Sequence, residues 1–312
     1  MLMDEAALGT MPFGDTVDEA GASEIVSTAV ELGVTELDTA VTYAQGRTEE
    51  ILGRIVARLP ERVRVSSKVG MQQPVAGGPL SRTEIVRCAQ VSVEKLGRRL
   101  DTLYLHKPDR DTPLAETVAG VGEVIAAGLA SRFGTSNHAS WQIAELAAEC
   151  RAQGVAAPAR AQQLYNPIAR TLEIDFLPFA KERDVEVVVY NPLAGGLLSG
   201  RYRSGSTPQG GRFADSLLAE MYRGRYWTEE FLAVVDQLTE LAAAAGMPLA
   251  ELALRWTCSH PQVAQVVVGA STPEQVRSNL AALARGPLPE DLQAEVRRRT
   301  QGVQDAAPSY AR

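Results

Sequence analysis

The sequence predicts a closed barrel of eight parallel strands, the (β/α)8 TIM barrel. Eight short apolar runs alternate with longer segments whose apolar residues recur at helical spacing. Runs that are apolar on both faces are typical of parallel strands covered on both sides. Eight such strand–helix units in 312 residues favour a barrel. A doubly wound open sheet is the alternative, but no G-x-G-x-x-G motif lies between a strand and a helix.

The predicted strands follow a regular order along the chain. They comprise a short run at 7–11 and the segments 34–38, 63–68, 102–106, 131–135, 159–164, 185–190 and 263–268. Two helix starts carry a capping signal, Ser81 with Glu84 and Thr272 with Pro273. We expect one domain over residues 1–312.

Residues 192–226 interrupt this order with many Gly, Arg and Ser residues. A connection of that length predicts either a functional loop or disorder. We expect the loop to serve cofactor and substrate binding, together with a C-terminal tail at 286–312.

The composition indicates a chain with ample material for a core. Apolar residues make up 45% of it, and the net charge is −7. An acidic surface disfavours non-specific binding to nucleic acid, and the apolar runs are shorter than the ~20 residues that span a bilayer. The N-terminal MLMDEAALGTM lacks the basic start and long apolar stretch of a signal peptide. We therefore expect a cytoplasmic protein without nucleic-acid or membrane partners.

The cysteines give no sign of a disulfide framework or a zinc site. Cys88, Cys150 and Cys258 are odd in number and far apart. This spacing predicts small buried thiols in a reducing compartment, and no metal centre.

Four polar residues come at or just beyond the ends of successive predicted strands. They are Asp38, Tyr43, Lys68 and His106. In a parallel barrel the carboxyl ends of the strands gather on one face, where ligands bind. We therefore expect a carboxylate, a phenol, an ammonium and an imidazole to converge there. Alone, Asp38 could cap a helix and His106 could be a hydrogen-bonded core residue.

The four residue types suit delivery of a proton to an oxygen that gains negative charge. A lysine paired with Asp38 stays protonated, and a cationic Lys68 lowers the pKa of a nearby phenol. This predicts Tyr43 as a general acid and His106 as the group that orients a carbonyl. None of the four is a reductant, so a hydride would have to come from a cofactor. A Schiff-base role of Lys68 is the chemical alternative.

Several blocks resemble the aldo-keto reductase superfamily. In chain order they are VTELDTAVTYAQGRTEEILG, SSKVG, LYLHKPD and FGTSNHASWQIAEL. NPLAGGLLSGRY, GRFADSLLAEMYRGRYW and PSYAR resemble its aflatoxin aldehyde reductase or succinic semialdehyde reductase subfamily. The resemblance implies a (β/α)8 barrel, a small-molecule carbonyl substrate, NADPH as cofactor and a tendency to form homodimers. It makes Tyr43 the general acid, tuned by Lys68 and Asp38, with His106 positioning the carbonyl.

Twelve further residues match the cofactor-binding positions of that family. From the nicotinamide to the adenosine end they are Ser136, Asn137, Gln162, Tyr190, Asn191, Leu193, Gly195, Gly269, Ser271, Thr272, Gln275 and Asn279. The resemblance implies that the first three hold the carboxamide and that Tyr190 stacks on the ring; a core aromatic is the alternative for Tyr190. The lysine that other branches carry at Gly269 is absent, which leaves the preference between NADPH and NADH open.

Substrate residues are expected near the start of the chain, in the long loop and at the C-terminus. The loop and the C-terminus carry the arginines Arg212, Arg223, Arg225 and Arg312. The resemblance implies that Arg225 and Arg312 bind a substrate carboxylate, because a guanidinium matches a carboxylate bidentately. Arg223 is the second choice for this role. A solvated basic surface is the alternative. Met11 and Trp227 are expected to line the pocket.

The leading functional prediction is NADPH-dependent reduction of aldehydes or ketones to alcohols. Three alternatives stay open at this point. One is a ketoreductase of a nucleotide-sugar or polyketide pathway, and another is a cofactor-binding regulatory subunit like the potassium-channel β subunits. The third is an aldolase that uses Lys68.

Overall fold

A computed structural model describes residues 5–311. Eight parallel strands close into a barrel in chain order, and the last strand pairs with the first. The strands are β1 (Ala6–Gly9), β2 (Glu36–Asp38), β3 (Arg64–Val69), β4 (Leu100–Leu105), β5 (Ala130–Ser136), β6 (Arg160–Leu164), β7 (Glu186–Tyr190) and β8 (Val263–Gly269). The predicted fold is therefore confirmed, and each predicted strand end lies within two residues of the observed one.

Helices cover the outside of the barrel. They are α1 (Glu19–Glu31), α2 (Arg47–Val56), α3 (Arg82–Leu96), α4 (Leu114–Ala126), α5 (Ser140–Gln153), α6 (Phe176–Glu182), α7 (Ala219–Tyr226), α8 (Glu229–Ala244), α9 (Leu249–Thr257), α10 (Pro273–Ala284) and α11 (Glu290–Arg299). Within residues 5–311, none of these helices combines the length and the hydropathy needed to cross a membrane.

The strands are buried on both faces, as their sequences predict. Along β3, the four consecutive residues from Val65 to Lys68 are all at most 1% exposed, although successive side chains point to opposite faces. One face packs under the helices and the other fills the barrel. A charged residue such as Lys68 is therefore stable here only because polar partners surround it.

One predicted helix cap is confirmed and one is wrong. The Thr272 hydroxyl accepts a hydrogen bond from the amide of Gln275 at the start of α10. The Ser81–Glu84 capping box does not form. The Glu84 carboxylate instead accepts the amide of Val75, because the loop before α3 folds back over the helix start and offers its own donors.

The long segment 192–226 is folded. It contains a kinked series of turns at Ala194–Ser199 and a 3₁₀ turn at Gly211–Phe213, and it ends with α7. Phe213 and Tyr226 are fully buried, so the segment is packed into the protein rather than extending into solvent.

A buried ion-pair network fills the barrel near the strand starts. Arg160 of β6 donates to Glu36 of β2 at 2.8 Å, to Glu186 at 2.7 Å and to Gln265 at 2.9 Å. Glu36 and Arg160 are each 2% exposed. The interior is thus filled at this end, and a ligand can reach the barrel axis from the opposite end.

Candidate active site

A cavity of about 680 Å³ lies at the carboxyl ends of the strands. Asp38, Tyr43 and His106 line it, and Lys68 lies directly behind them at 1% exposure. The structure therefore brings together the four residues that the sequence singled out. They come from the ends of β2, β3 and β4 and from the turn that follows β2.

Lys68 uses all three of its N–H donors on this cluster. Its Nζ donates to Asp38 Oδ2 at 2.6 Å, to the Thr39 carbonyl at 2.7 Å and to Tyr43 Oη at 3.1 Å. The other Asp38 oxygen accepts from Gln162 Nε2 at 2.7 Å. A fully engaged ammonium that does not line the cavity is a poor amine nucleophile, which counts against the aldolase alternative.

The Tyr43 hydroxyl is oriented by this arrangement. An ammonium has no acceptor, so the Tyr43 oxygen must accept from Lys68, which leaves its own O–H free to donate elsewhere. The rings of Tyr43 and His106 meet edge to face, with centroids 6.0 Å apart. The phenol proton and the imidazole therefore border the same part of the cavity.

The electrostatics of Tyr43 differ from the expectation. Burial raises the pKa of the Tyr43 phenol, and the Lys68 ammonium opposes this rise without cancelling it. The prediction of a lowered pKa was wrong because it counted the nearby charge and not the loss of water. Burial also disfavours the Lys68 ammonium, but Asp38 and Tyr43 together outweigh it and raise the pKa of Lys68. Tyr43 is therefore protonated and Lys68 charged at neutral pH.

Ser136 and Asn137 at the end of β5 and Tyr190 at the end of β7 form one hydrogen-bonded group. Asn137 Nδ2 donates to the His106 carbonyl at 2.8 Å and to Ser136 Oγ at 3.1 Å, while its Oδ1 accepts from Tyr190 Oη at 2.7 Å. The Ser136 hydroxyl proton is thus free to donate. Gln162 donates through its Nε2 to Asp38, and its side-chain oxygen remains available as an acceptor. The Asn137 oxygen has a second lone pair, so one donor (Ser136) and two acceptors (Asn137 and Gln162) are available beside Asp38 and Tyr190.

The backbone after β7 forms the next wall of the cavity. Asn191 adopts a left-handed φ of 63°, and its side chain accepts the Gly195 amide and donates to Tyr226 at 2.9 Å. Asn191, Leu193 and Gly195 all line the cavity. A Cβ at Gly195 would lie 2.5 Å from the Tyr222 ring, so only glycine fits at this close approach.

The cavity continues to the start of α10. Gly269, Ser271, Gln275 and Asn279 line it, whereas Thr272 does not and serves as the helix cap. Thr272 thus has a capping role in this structure, and its contact with a cofactor stays a prediction.

Arg212 reaches into the same end of the cavity from the loop after β7. Its Nη1 donates to Tyr222 Oη at 3.0 Å, and its guanidinium carbon lies 5.4 Å from the centre of the Tyr222 ring. A Cβ at Gly269 would lie 3.0 Å from Arg212 Nη2. The glycine therefore leaves room for the arginine.

Comparisons with known proteins show the family to which the chain belongs. The model of the "Aldo/keto reductase family" matches residues 6–299. The human "Aldo-keto reductase family 7 member A3" is 35% identical over 298 residues, which cover 90% of this chain and 89% of the human protein. This chain belongs to the aldo/keto reductase family.

Two further relatives are a named reductase and a probable channel subunit. The rat "Aflatoxin B1 aldehyde reductase member 2" is 33% identical, over 98% of this chain and 87% of the rat protein. A "Probable voltage-gated potassium channel subunit beta" of Arabidopsis thaliana is 34% identical, over 88% of this chain and 86% of the plant protein. The family and its named reductases identify the chain as an oxidoreductase.

The expected substrate residues of this aldo/keto reductase divide into two groups. Met11 and Arg225 line the cavity, and the Arg225 guanidinium lies 5.9 Å from the centre of the Tyr222 ring. Arg223 and Trp227 do not line it.

Arg223 and Trp227 have packing contacts within the loop. Arg223 donates to the Phe213 carbonyl at 2.6 Å. Trp227 packs on Phe213 and Tyr202, with ring centroids 5.0 and 4.9 Å apart. Both residues therefore stabilise the loop, and a direct contact of either with substrate stays a prediction. Arg312 lies outside the described residues.

Sequence reasoning missed several residues of the cavity wall. They are Gln45, Met71, Lys107, Arg201, Leu217, Leu218 and Met221. Lys107 and Met71 follow strand ends, which is the signal that could have found them. Nothing in the local sequence distinguishes Met221 or Arg201 from other loop residues.

Proposed function

We propose that this aldo/keto reductase reduces aldehydes or ketones to alcohols with NADPH, and that Tyr43 is the general acid. The observation that carries the proposal is the hydrogen bonding of Lys68. Because Lys68 donates to the Tyr43 oxygen, the Tyr43 proton is left to donate into the cavity beside His106.

The residues present fit a nicotinamide. Its primary carboxamide carries one acceptor and two N–H donors, which complement the Ser136 hydroxyl and the oxygens of Asn137 and Gln162. Tyr190 adds an aromatic side chain to the same wall. When bound, NADPH supplies the hydride, for which the chain has no group of its own.

The chain's own residues supply the proton. Tyr43 is protonated at neutral pH, as a general acid must be before transfer, and burial raises its pKa further. The charged Lys68 then stabilises the phenolate that forms, and Asp38 keeps Lys68 charged and in place. His106 lies beside the phenol, where it can donate to the carbonyl oxygen and fix its direction.

Arg212 supports a preference for the phosphorylated cofactor. It brings a guanidinium to the cavity end formed by Ser271 and Gln275, which the sequence left without the family's lysine at Gly269. A guanidinium binds a phosphate well because its donors match the oxygens bidentately. This side chain therefore favours NADPH over NADH.

We infer further that the substrate is an aldehyde with a carboxylate. Most of the outer cavity wall is apolar, with Met11, Met71 and Met221, and Arg225 supplies a cation there. The thioethers adapt to substrates of varied shape. The arginine selects an anionic end, so succinic semialdehyde is the test substrate.

The experiment is NADPH oxidation by the purified protein with a panel of carbonyl compounds. The panel contains succinic semialdehyde, butyraldehyde, a simple ketone and a keto-sugar, each tested with NADPH and NADH. We expect the aldehydes to be reduced, with NADPH preferred and succinic semialdehyde the best substrate. Absence of NADPH oxidation with every compound would refute the function, and reduction of the keto-sugar alone would support a biosynthetic ketoreductase.

A further inference from the structure

The turn that carries Tyr43 is strained. Tyr43–Gly46 is a tight turn between β2 and α2. Within it Ala44, Gln45 and Gly46 all have left-handed φ, at 45°, 59° and 90°. Two of these three residues carry a Cβ, for which this conformation is costly, so it persists only where surrounding contacts impose it.

Two basic side chains hold the carbonyl groups of this turn. Arg47 Nε donates to the Ala44 carbonyl at 3.2 Å. Lys95 Nζ donates to the Gly46 carbonyl at 3.2 Å and pairs with Glu50 of α2 at 2.9 Å. Arg47 adjoins the turn in sequence, but Lys95 comes from α3, on the outside of the barrel. Lys95 therefore fixes the turn relative to a neighbouring helix.

The backbone of Lys95 is itself held against α2. A Cβ at Gly53 would overlap the Lys95 carbonyl oxygen, so the two helices touch backbone to backbone at this point. The Lys95 side chain thus starts from a defined position and reaches back along α2 to the turn. Its side chain is 28% exposed, which keeps the ammonium hydrated while it holds the carbonyl.

The position of the Tyr43 hydroxyl depends on this support. Lys68 holds the hydroxyl from inside the barrel at 3.1 Å, and the turn fixes the other end of the side chain. Relaxation of Ala44 and Gln45 toward ordinary φ values would move the Tyr43 backbone, while Lys68 stays fixed by Asp38 and Thr39. A small displacement of a proton donor is costly because transfer requires close alignment.

We propose that Lys95 is a positioning residue for Tyr43, which it holds in place for proton transfer by clamping the strained turn from outside the barrel. The proposal rests on the proposed function, in which Tyr43 is the acid. Lys95 contacts neither the cavity nor the reacting atoms. Its loss should impair the chemical step and leave cofactor binding intact.

The test is the variant Lys95→Met, assayed with NADPH and the best aldehyde of the panel. We expect kcat at saturating NADPH to fall about 10- to 100-fold, while the Kd of NADPH changes less than twofold. The solvent deuterium isotope effect on kcat should rise, because proton delivery becomes slower relative to the other steps. Lys95→Arg should keep most of the activity, since it can still donate to Gly46.

The controls separate positioning from general stability. Lys181→Met removes an exposed lysine from α6 and should leave all three readouts unchanged. If Lys95→Met does not fold, Glu50→Ala decides, because it removes the second anchor of Lys95; we expect a smaller loss of kcat with the same rise in isotope effect.

Two outcomes would overturn the proposal in distinguishable ways. If the wild type reduces aldehydes and Tyr43→Phe does not, but Lys95→Met keeps its kcat and isotope effect, the positioning role is wrong and the function stands. If the wild type itself oxidises no NADPH with any aldehyde, the proposed function fails and the role of Lys95 fails with it.

Discussion

Arg225 is the side chain on which substrate charge is expected to act. It lines the cavity, and its guanidinium lies beside the Tyr222 ring. The ring limits the directions in which the guanidinium N–H groups can point. A hydrogen-bonded charged group contributes roughly 1.5–3 kcal/mol, which corresponds to about 10- to 100-fold in binding. The residue should therefore matter for an anionic substrate and little for a neutral one.

Arg225→Ala should raise KM for succinic semialdehyde about 10- to 100-fold and leave KM for butyraldehyde nearly unchanged. The two aldehydes share a four-carbon chain and differ in the carboxylate. Arg225→Lys, which keeps the charge but not the bidentate geometry, should recover part of the loss. Steady-state kinetics on both substrates give the answer, and equal effects on the two would remove the carboxylate role.

Single residues also mark where sequence reasoning ended. The quartet was predictable because each member lies at or just beyond the carboxyl end of a strand, and these ends meet on one face of a barrel. Arg223 and Arg225 are two positions apart on α7 and have the same chemistry, so nothing in the sequence separates the one that packs from the one that lines the cavity. The rise in the Tyr43 pKa required knowledge of burial.

At the scale of elements, the turn after β5 carries a buried histidine. His138 is 5% exposed; its Nδ1 lies 2.8 Å from the Ser136 carbonyl, and its own carbonyl accepts from Gln163 at 2.7 Å. Burial lowers the pKa of His138 from 6.5 to about 4. This imidazole is therefore neutral in the folded protein at pH values where the unfolded chain protonates it.

The His138 contribution to stability should be lost in acid. Above pH 6.5 it is fully present; as the pH falls toward 4 the unfolded state binds a proton that the folded state does not. The unfolding free energy should drop by roughly 3 kcal/mol over this window. The glutamine of His138→Gln cannot be protonated, so the unfolding free energy of this variant should decrease less between pH 6.5 and pH 4. Denaturant unfolding at several pH values measures this decrease. An equal decrease of the unfolding free energy in the wild type and the variant would contradict this role of His138.

Backbone strain is concentrated at the turns around the cavity. Within residues 5–311, the non-glycine residues with left-handed φ are Ala44, Gln45, Asn137, Asp184, Asn191 and Ala194. All of these except Asp184 line the cavity or adjoin a residue that does. Asparagine tolerates this conformation, but alanine gives no sequence signal for it. The sequence therefore located the strand ends and not the shape of the turns that follow them.

At the scale of the whole molecule, the barrel separates a filled end from an open end. The filled end depends on Glu36 and Arg160, which are the first residues of β2 and β6 and are buried. From the sequence alone, charged residues at these positions would be expected to face solvent. Their pairing joins residues 124 positions apart, across the barrel. Strand order and the cavity's place were predictable from periodicity, whereas this network depends on contacts that only closure of the barrel creates.

The proposed reaction depends on Tyr43 being the acid of a carbonyl reduction. The most direct measurement is a single turnover of the NADPH complex mixed with an aldehyde, comparing the wild type with Tyr43→Phe. We expect the variant to bind NADPH normally and to lose at least about 100-fold in the rate of reduction, because phenylalanine keeps the ring and removes only the proton donor. A variant rate within a few-fold of the wild type would contradict the account.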